Sequence, residues 1–274
     1  MLNSVKLIEL EIHGKCNRSC SFCCKRFDKY NTDEVMSDEV YLKIIKDLEQ
    51  VKYSEMISFS RNNEVLLYTE ELKRKVNIIK DRLPNATLVA STNGDYLSKD
   101  ALKDLNLDKL VIKDYDCMGR EKCYNILYEL GVDIVQVYDT YIEGKLNNMQ
   151  IIYIVDFTKN ELLEVKNDKS TDDYSDINSN NCTKPIEYIG IDLNGNVSPC
   201  CQIHTDNQLH QVFILGNVKD NNLDHIFNSS KAVGFRNYAN IDNKKAFPCN
   251  NCSSKLNYYK YSHSGIKFKK NIKY

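Results

Sequence analysis

The 274-residue chain lacks any long apolar run; its longest, such as Ile151–Val155, are strand-sized. A helix needs about 20 consecutive apolar residues to cross a bilayer, so no transmembrane span is expected. The chain also lacks an excess of either charge: 37 Lys and Arg against 38 Asp and Glu leave a formal net charge of −1. Nothing in that balance calls for nucleic acid or an anionic membrane as partner. The opening residues, Met1-Leu-Asn-Ser-Val-Lys6, have neither the apolar stretch nor the small-residue cleavage site of a secretory signal. A cytoplasmic location is expected. Internal repeats are missing too. What remains is an ordinary globular composition, 42% hydrophobic and 27% charged, in a chain long enough to bury a sizeable core.

Against this background there are eleven cysteines. Cytosolic thiols stay reduced, so a cysteine-rich chain without an export signal points to metal binding rather than disulfides. Cys16, Cys20, Cys23 and Cys24 crowd the N-terminal region. Cys182, Cys200, Cys201, Cys249 and Cys252 lie in the last third, and Cys117 and Cys123 fall between. Two separated groups suggest two metal sites.

Residues 5 to about 157 alternate strand and helix patterns. Strand-like runs occur at Lys6–Ile12, Met56–Ser60, Thr87–Ser91, Lys109–Lys113, Asp133–Tyr138 and Gln150–Asp156. Helical patterns cover Ser37–Lys52, Thr69–Leu83, Ser98–Leu105 and Arg120–Leu130, the last closed by Gly131. Ile142–Met149 is too short and polar for a helix. Such alternation implies parallel β–α units. The expected fold is α/β: a partial, open barrel of five or six parallel strands with about four helices over residues 1–157. On the first strand Ile8, Leu10 and Ile12 share one face, and Glu9, Glu11 and His13 the other. Ser58, Ser60, Ser91, Asn93, Lys113, Gln136 and Asp156 interrupt later strands. A closed barrel fills its interior with branched aliphatics; a polar-laced inner face suits an open barrel around a polar ligand.

Residues 158–181, rich in Asn, Asp, Lys and Ser, read as a linker. Asn194-Gly195, between Glu187–Leu193 and Asn196–Ser198, predicts a type I′ hairpin. A helical stretch, Leu223–Tyr238, precedes the Cys249–Cys252 pair. Residues 182–252 thus form a small C-terminal domain of hairpin plus helix, and 253–274 a basic tail, read as a solvated or packing segment.

The stretch Cys16-Asn-Arg-Ser-Cys20-Ser-Phe-Cys23 follows the first strand directly. Thiolate is the preferred ligand of iron–sulfur clusters, and three thiolates on one loop hold three irons of a cubane and leave the fourth open. A zinc site would want four ligands, and Cys24, adjacent to Cys23, is poorly placed as the fourth. Cys-x3-Cys-x2-Cys with an aromatic before its third cysteine, here Phe22, resembles the signature of the radical S-adenosylmethionine (SAM) superfamily. That resemblance implies a [4Fe–4S] cluster whose open iron chelates SAM, and a 5′-deoxyadenosyl radical formed from it. Ser60-Arg61-Asn62-Asn63-Glu64-Val65-Leu66 resembles the family's Gly-Gly-Glu-Pro-Leu-type segment at the methionine moiety, but lacks its glycines and proline; Glu64 is the match. Thr92-Asn93-Gly94 resembles the family's Thr-Asn-Gly motif. Phe22, Ser60, Glu64, Thr92, Asn93 and Lys113 are the cofactor-binding candidates.

Cys182, Gly195 and Cys200, the Leu215–Val218 segment and Pro248-Cys249-Asn-Asn-Cys252 resemble the SPASM auxiliary-cluster domains in their shortened "twitch" form. The resemblance implies Cys182, Cys200, Cys249 and Cys252 as ligands of an auxiliary iron–sulfur cluster, a [4Fe–4S] cluster by its four thiolates; four-cysteine zinc is the competitor on spacing alone. Cys201 is a bystander or exchanges roles with Cys200. Cys117, beyond the fourth strand, is a candidate hydrogen-atom donor or an incidental thiol, and Cys123 shares a helical face with Ile126, Leu127 and Leu130, a core position. Arg61, beside the expected cofactor pocket, is the other catalytic candidate. Glu9, Glu11, Lys113 and Asp156 are groups to bind or deprotonate substrate, or structural hydrogen-bonding groups.

Size, helix count and cysteine set resemble the radical SAM dehydrogenases of aminocyclitol antibiotic biosynthesis. The reading this implies is an oxidoreductase that turns an alcohol of a small polar substrate, an aminocyclitol or sugar, into a ketone, with the auxiliary cluster accepting an electron and flavodoxin or ferredoxin as donor. The alternatives are a peptide- or sugar-modifying radical enzyme (epimerisation or cross-linking) and an iron–sulfur electron carrier. Strand one begins by about residue 5, leaving no room for a leader-binding domain, which favours a small molecule. A carrier needs no open iron.

Overall fold

The computed structural model describes residues 2–20, 23, 31–116, 118–138, 141–154, 182–205, 207–239 and 247–249. Phe22, Cys24, Cys117, Asp156, Cys252, the linker 158–181 and the tail 253–274 lie outside the described residues.

The elements in chain order are β1 (Leu7–Leu10), α1 (Asp38–Gln50), β2 (Met56–Ser58), α2 (Thr69–Arg82), β3 (Thr87–Thr92), α3 (Lys99–Leu102), β4 (Lys109–Lys113), α4 (Arg120–Glu129), β5 (Asp133–Val137), β6 (Tyr141–Leu146) and β7 (Met149–Ile154). There follow α5 (Lys184–Glu187), β8 (Tyr188–Ile191), β9 (Asn196–Ser198), β10 (Gly216–Asn217), α6 (Leu223–Asn228) and α7 (Ser230–Ala239). The strands form one sheet in the order β10-β9-β8-β1-β2-β3-β4-β7-β6-β5. Its centre, β8-β1-β2-β3-β4-β7, is parallel throughout.

Helix starts follow local chemistry. The Ser37 side chain accepts from Val40 N to cap α1, and Ser98 accepts from Ala101 N to cap α3. Gly131, at φ +79°, takes the left-handed position after α4. The expected α3 is shorter than its pattern, and the expected Leu223–Tyr238 helix is two: Ser229 is extended and its hydroxyl accepts from Ala232 N, starting α7.

Two expectations are corrected. Asp133–Val137 is not a parallel strand: it pairs antiparallel with β6, which pairs antiparallel with β7. The polar stretch around Ile142–Met149 is that intervening strand, turning at Asn147 (φ +54°). Links this short permit only antiparallel pairing, since a parallel return needs a crossover of a dozen or more residues. The Asn194-Gly195 turn is not type I′ either. Gly195 alone of the pair has positive φ, and Gly195 N bonds to Asp192 O, so a type I turn ends in a left-handed glycine. The Asp192 carboxylate caps this turn by accepting from Asn194 N and Asn196 N, which holds Asn194 out of the left-handed region.

Register divides the sheet into two faces. Ile8, Leu10, Ile57, Phe59, Leu88, Ala90, Leu110, Ile112, Ile151, Tyr153, Ile189 and Ile191 pack against the helices in one continuous core. On the concave face Glu9 aligns with Ser58 and Gly190, Ser91 with Val111, and Lys113 with Ile154. That face is itself divided. Val111, Tyr141, Ile152 and Ile154, with Tyr115 and Tyr138, form a separate apolar cluster at the β4–β7–β6 side, and the β8–β1–β2 side is polar.

Candidate functional site

The loop after β1 carries Cys16, Cys20 and Cys23 at the C-terminal end of the parallel strands, where barrel active sites form. Its start is fixed by His13, fully buried, whose Nδ1 accepts from Lys15 N at 3.2 Å and whose ring lies 4.6 Å from that of Tyr68. Asn31 then pairs with the Cys16 backbone in both directions, at 2.9 Å each. Cys23 N bonds to Cys20 O at 2.9 Å.

Arg18, between the first two cysteines, is the loop's main anchor. It forks onto Asp95, after β3, and onto Asp116, after β4. Asn17 also donates to Asp95 at 2.6 Å and accepts from Asn93 Nδ2 at 2.9 Å. Paired carboxylates hold the Arg18 guanidinium above its ordinary value, and Arg18 holds Asp95 below the usual carboxylate range. Sequence reasoning missed this clamp. The available signal was an arginine inside the cysteine motif and an acid just past each of two successive strands, all at one end of the barrel. Because the folded Asp95 value is depressed, its pairing stabilises the fold fully above the unfolded value of about 3.9 and is lost as pH falls through the lower folded value. The stability gap between the wild-type chain and R18M, followed by urea unfolding, is expected to be about 1–3 kcal/mol at neutral pH and to close on acidification below about pH 4. A gap that stays constant would rule out the clamp as its source.

Glu64 joins the next two loops. Only 2% exposed, it accepts from Leu66 N at 3.1 Å, Thr92 Oγ1 at 2.6 Å and Asn93 N at 2.7 Å, while its own N–H donates to Lys15 O at 3.0 Å. Burial pushes its pKa up, against the pull of those donors. Ser60 and Ser91 are tied by hydrogen bonds in both directions. The structure thus brings Cys16, Ser60, Glu64, Thr92 and Asn93 to one rim.

Beneath the rim, Lys113 points into the concavity. Burial pulls its pKa down, opposed by Glu9, Glu64 and Cys23. Burial raises the Tyr115 phenol, and Cys20, Cys23, Glu64 and Cys16 add to the rise. Glu9 Oε2 accepts from the Tyr188 hydroxyl at 2.6 Å; its second oxygen accepts no hydrogen bond among the described residues. Arg61 does not stay at the rim: its described side-chain partners are Tyr188, Ser198 and Ile203, on β8, β9 and the loop beyond. Cys123 is buried, and burial next to Asp114 pushes its thiol up to about 12.

Burial raises the Cys16 and Cys20 thiols, and the nearby Cys23 adds to both. Among the described residues no three Cys, His, Asp or Glu side chains are close enough to hold a single metal ion. A cubane asks for something different, one thiolate at each of several iron corners, and Cys16, Cys20 and Cys23 are half-buried on one loop and free of disulfides. In the C-terminal segment Cys182, Cys200 and Cys249 are likewise half-buried. Ile203 N bonds to Cys200 O at 3.2 Å, and the His210 ring lies 5.6 Å from Phe247, which brings the Gln208–Phe213 turn beside Cys249. Cys201 feels Lys184, Glu9 and Arg61, and so faces the barrel.

Residues 182–253 match the SPASM iron–sulfur cluster-binding domain. Over 90% of this chain and 92% of its own, the S-adenosyl-L-methionine-dependent 2-deoxy-scyllo-inosamine dehydrogenase of Niallia circulans is 23% identical. The crystal structure of BtrN in complex with AdoMet and 2-DOIA superposes with a TM-score of 0.64 at 20% identity, covering 86% of this chain and 87% of that one. The anSMEcpe structure with bound AdoMet gives 0.53 at 14% identity, covering 85% and 80%. These two structures share the fold. With the three-cysteine loop at the sheet's C-terminal rim and a segment matching an iron–sulfur cluster-binding domain continuing the same sheet, the chain is similar in fold and motif to the radical SAM enzymes that carry a C-terminal SPASM-type domain.

Proposed function

We propose that the chain is a radical SAM dehydrogenase that oxidises a secondary alcohol of a small polyhydroxylated or amino-bearing ring, an aminocyclitol or sugar, to a ketone. The observation that carries this reading is the concave face: Glu9 and Lys113 face a common space under the cysteine loop, and the auxiliary-domain strand β8 pairs directly with β1, the strand bearing Glu9. When bound, the clusters and SAM supply the hydrogen-abstracting 5′-deoxyadenosyl radical and an acceptor for the second electron.

The chain's own residues do the rest. Cys16, Cys20 and Cys23 would hold the SAM-binding cluster, and Cys182, Cys200, Cys249 and Cys252 would hold the auxiliary one. Ser60, Glu64, Thr92 and Asn93 shape the rim that receives SAM. Glu9, fixed through one oxygen by Tyr188, takes the hydroxyl proton with the other. Lys113 balances the resulting negative charges, and the Tyr115–Tyr138–Tyr141 side covers the ring's C–H face and excludes water. Residues 1–157 act as the barrel and 182–252 as the auxiliary domain, with a flavodoxin or ferredoxin as electron donor.

The test is anaerobic incubation with SAM, dithionite and 2-deoxy-scyllo-inosamine or related cyclitols and sugars. The expected result is a ketone and 5′-deoxyadenosine in equal amounts, with deuterium carried from the labelled carbinol carbon into 5′-deoxyadenosine. Deuterium transfer with recovery of an epimerised alcohol, or cross-linking of an added peptide, would replace oxidation by those reactions.

A further inference from the structure

Arg61 is built into the junction between the barrel and the C-terminal segment. Its Nη1 donates to the Tyr188 hydroxyl at 2.5 Å, and its Nη2 donates to Ser198 Oγ at 2.8 Å and to Ile203 O at 2.7 Å. Ser198 and Ile203 bracket Cys200 and Cys201, and the Ile203 N–H closes a turn on Cys200 O. At the other end Tyr188 donates onward to Glu9. One guanidinium thus spans from the carboxylate on β1 to both sides of the cysteine pair.

A second, independent feature is Gly190. A Cβ there would lie 1.7 Å from Arg61 Nη1, 2.5 Å from its Cζ and 2.7 Å from Ser198 Oγ. Its backbone has no positive φ to explain glycine. Glycine inside a strand marks close approach of another group, and here that group is Arg61. The charge is compensated as well as fitted: burial works against the guanidinium, but Tyr188, Glu9, Glu11 and Asp192 more than restore it.

We infer that Arg61 is a positioning residue that fixes the Cys200–Cys201 loop against the barrel, in register with Glu9, through a passage opened by Gly190. That Cys200 holds an auxiliary cluster rests on the function proposed above; the clamp itself does not. Lysine cannot reproduce it, because a single ammonium cannot stand at the positions of both Nη1 and Nη2.

The experiment compares wild type, R61K, G190A and S198A by amide hydrogen exchange. It is paired with iron content and EPR of the dithionite-reduced protein in a C16A/C20A/C23A background, where only the auxiliary site remains to carry iron. R61K is expected to speed exchange across residues 196–205 by about tenfold or more, the scale of one lost charge-assisted bond, with residues 87–92 unchanged. G190A should do the same with the arginine itself unchanged, because the added methyl displaces its guanidinium, and S198A should do so more weakly. R61K and G190A should also give one common altered EPR signal. Unchanged exchange and EPR in both R61K and G190A would overturn the inference. Wild-type protein that loads no iron at this site would instead overturn the auxiliary-cluster reading, and exchange alone would then decide the clamp.

Discussion

A chain in which Cys16, Cys20 and Cys23 are all alanine is expected to bind about four irons where the unaltered chain binds about eight, one four-iron cluster fewer, and to form no 5′-deoxyadenosine from SAM and dithionite. On the proposed assignment each thiolate is the sole protein ligand of one iron corner. Loss of the loop cluster should leave the fold intact, because the loop is held by Arg18, Asn31 and Asn17 rather than by its sulfurs. The far-UV circular dichroism of the triple variant should therefore match that of the parent. Replacing Cys182, Cys200 and Cys249 should have the complementary effect, removing the other four or so irons while 5′-deoxyadenosine still forms. Zinc in place of iron at the N-terminal loop, or SAM cleavage that survives the triple substitution, would sink the assignment.

The parts of this site that were legible in the sequence are those written in local pattern. Alternation of Ile8, Leu10 and Ile12 with Glu9 and Glu11 named the polar concave face before any strand was paired. Ser37 announced its helix as a cap, and Glu64 and Thr92-Asn93 stood at strand ends where a rim would form. What escaped was set by long-range pairing. Nothing local says that β6 runs antiparallel between β5 and β7, or that β8 joins β1 across more than 170 residues of chain, a span the hydrogen bond from Tyr188 to Glu9 (179 residues apart) makes concrete. Arg61 read as a cofactor-pocket residue because its neighbours in sequence are at the rim; its partners are 127 to 142 residues away. Gly190 carries no local signal of its role, because the group that passes over it, Arg61, lies far away in sequence.

Glu64→Ala is expected to lower stability by about 2–4 kcal/mol and SAM cleavage by about two orders of magnitude. The first figure follows from the groups it strands: the N–H groups of Leu66 and Asn93 and the Thr92 hydroxyl lose their acceptor in a site closed to water, at about 1–3 kcal/mol each where nothing replaces it. Removal of a buried charge returns part of that. The second figure is the usual penalty for displacing reacting groups by about 1 Å, here through the Thr92-Asn93 loop and the Lys15 carbonyl next to Cys16. Glu64→Gln separates charge from shape. Gln keeps one acceptor oxygen but turns an NH2 toward groups that already donate, so its loss of activity should be intermediate. The sign of its pH dependence is also fixed. The folded Glu64 pKa is raised by burial, so the native state holds its proton where the unfolded state, near 4.3, has released it. Stability contributed at this residue therefore falls as pH climbs from about 4.3 through the raised folded value, and is constant beyond it. The wild-type advantage over E64Q in urea midpoint should shrink across that window. An advantage that grows with pH would mean that the donors at Leu66, Thr92 and Asn93 outweigh burial, and that the carboxylate is held charged rather than strained.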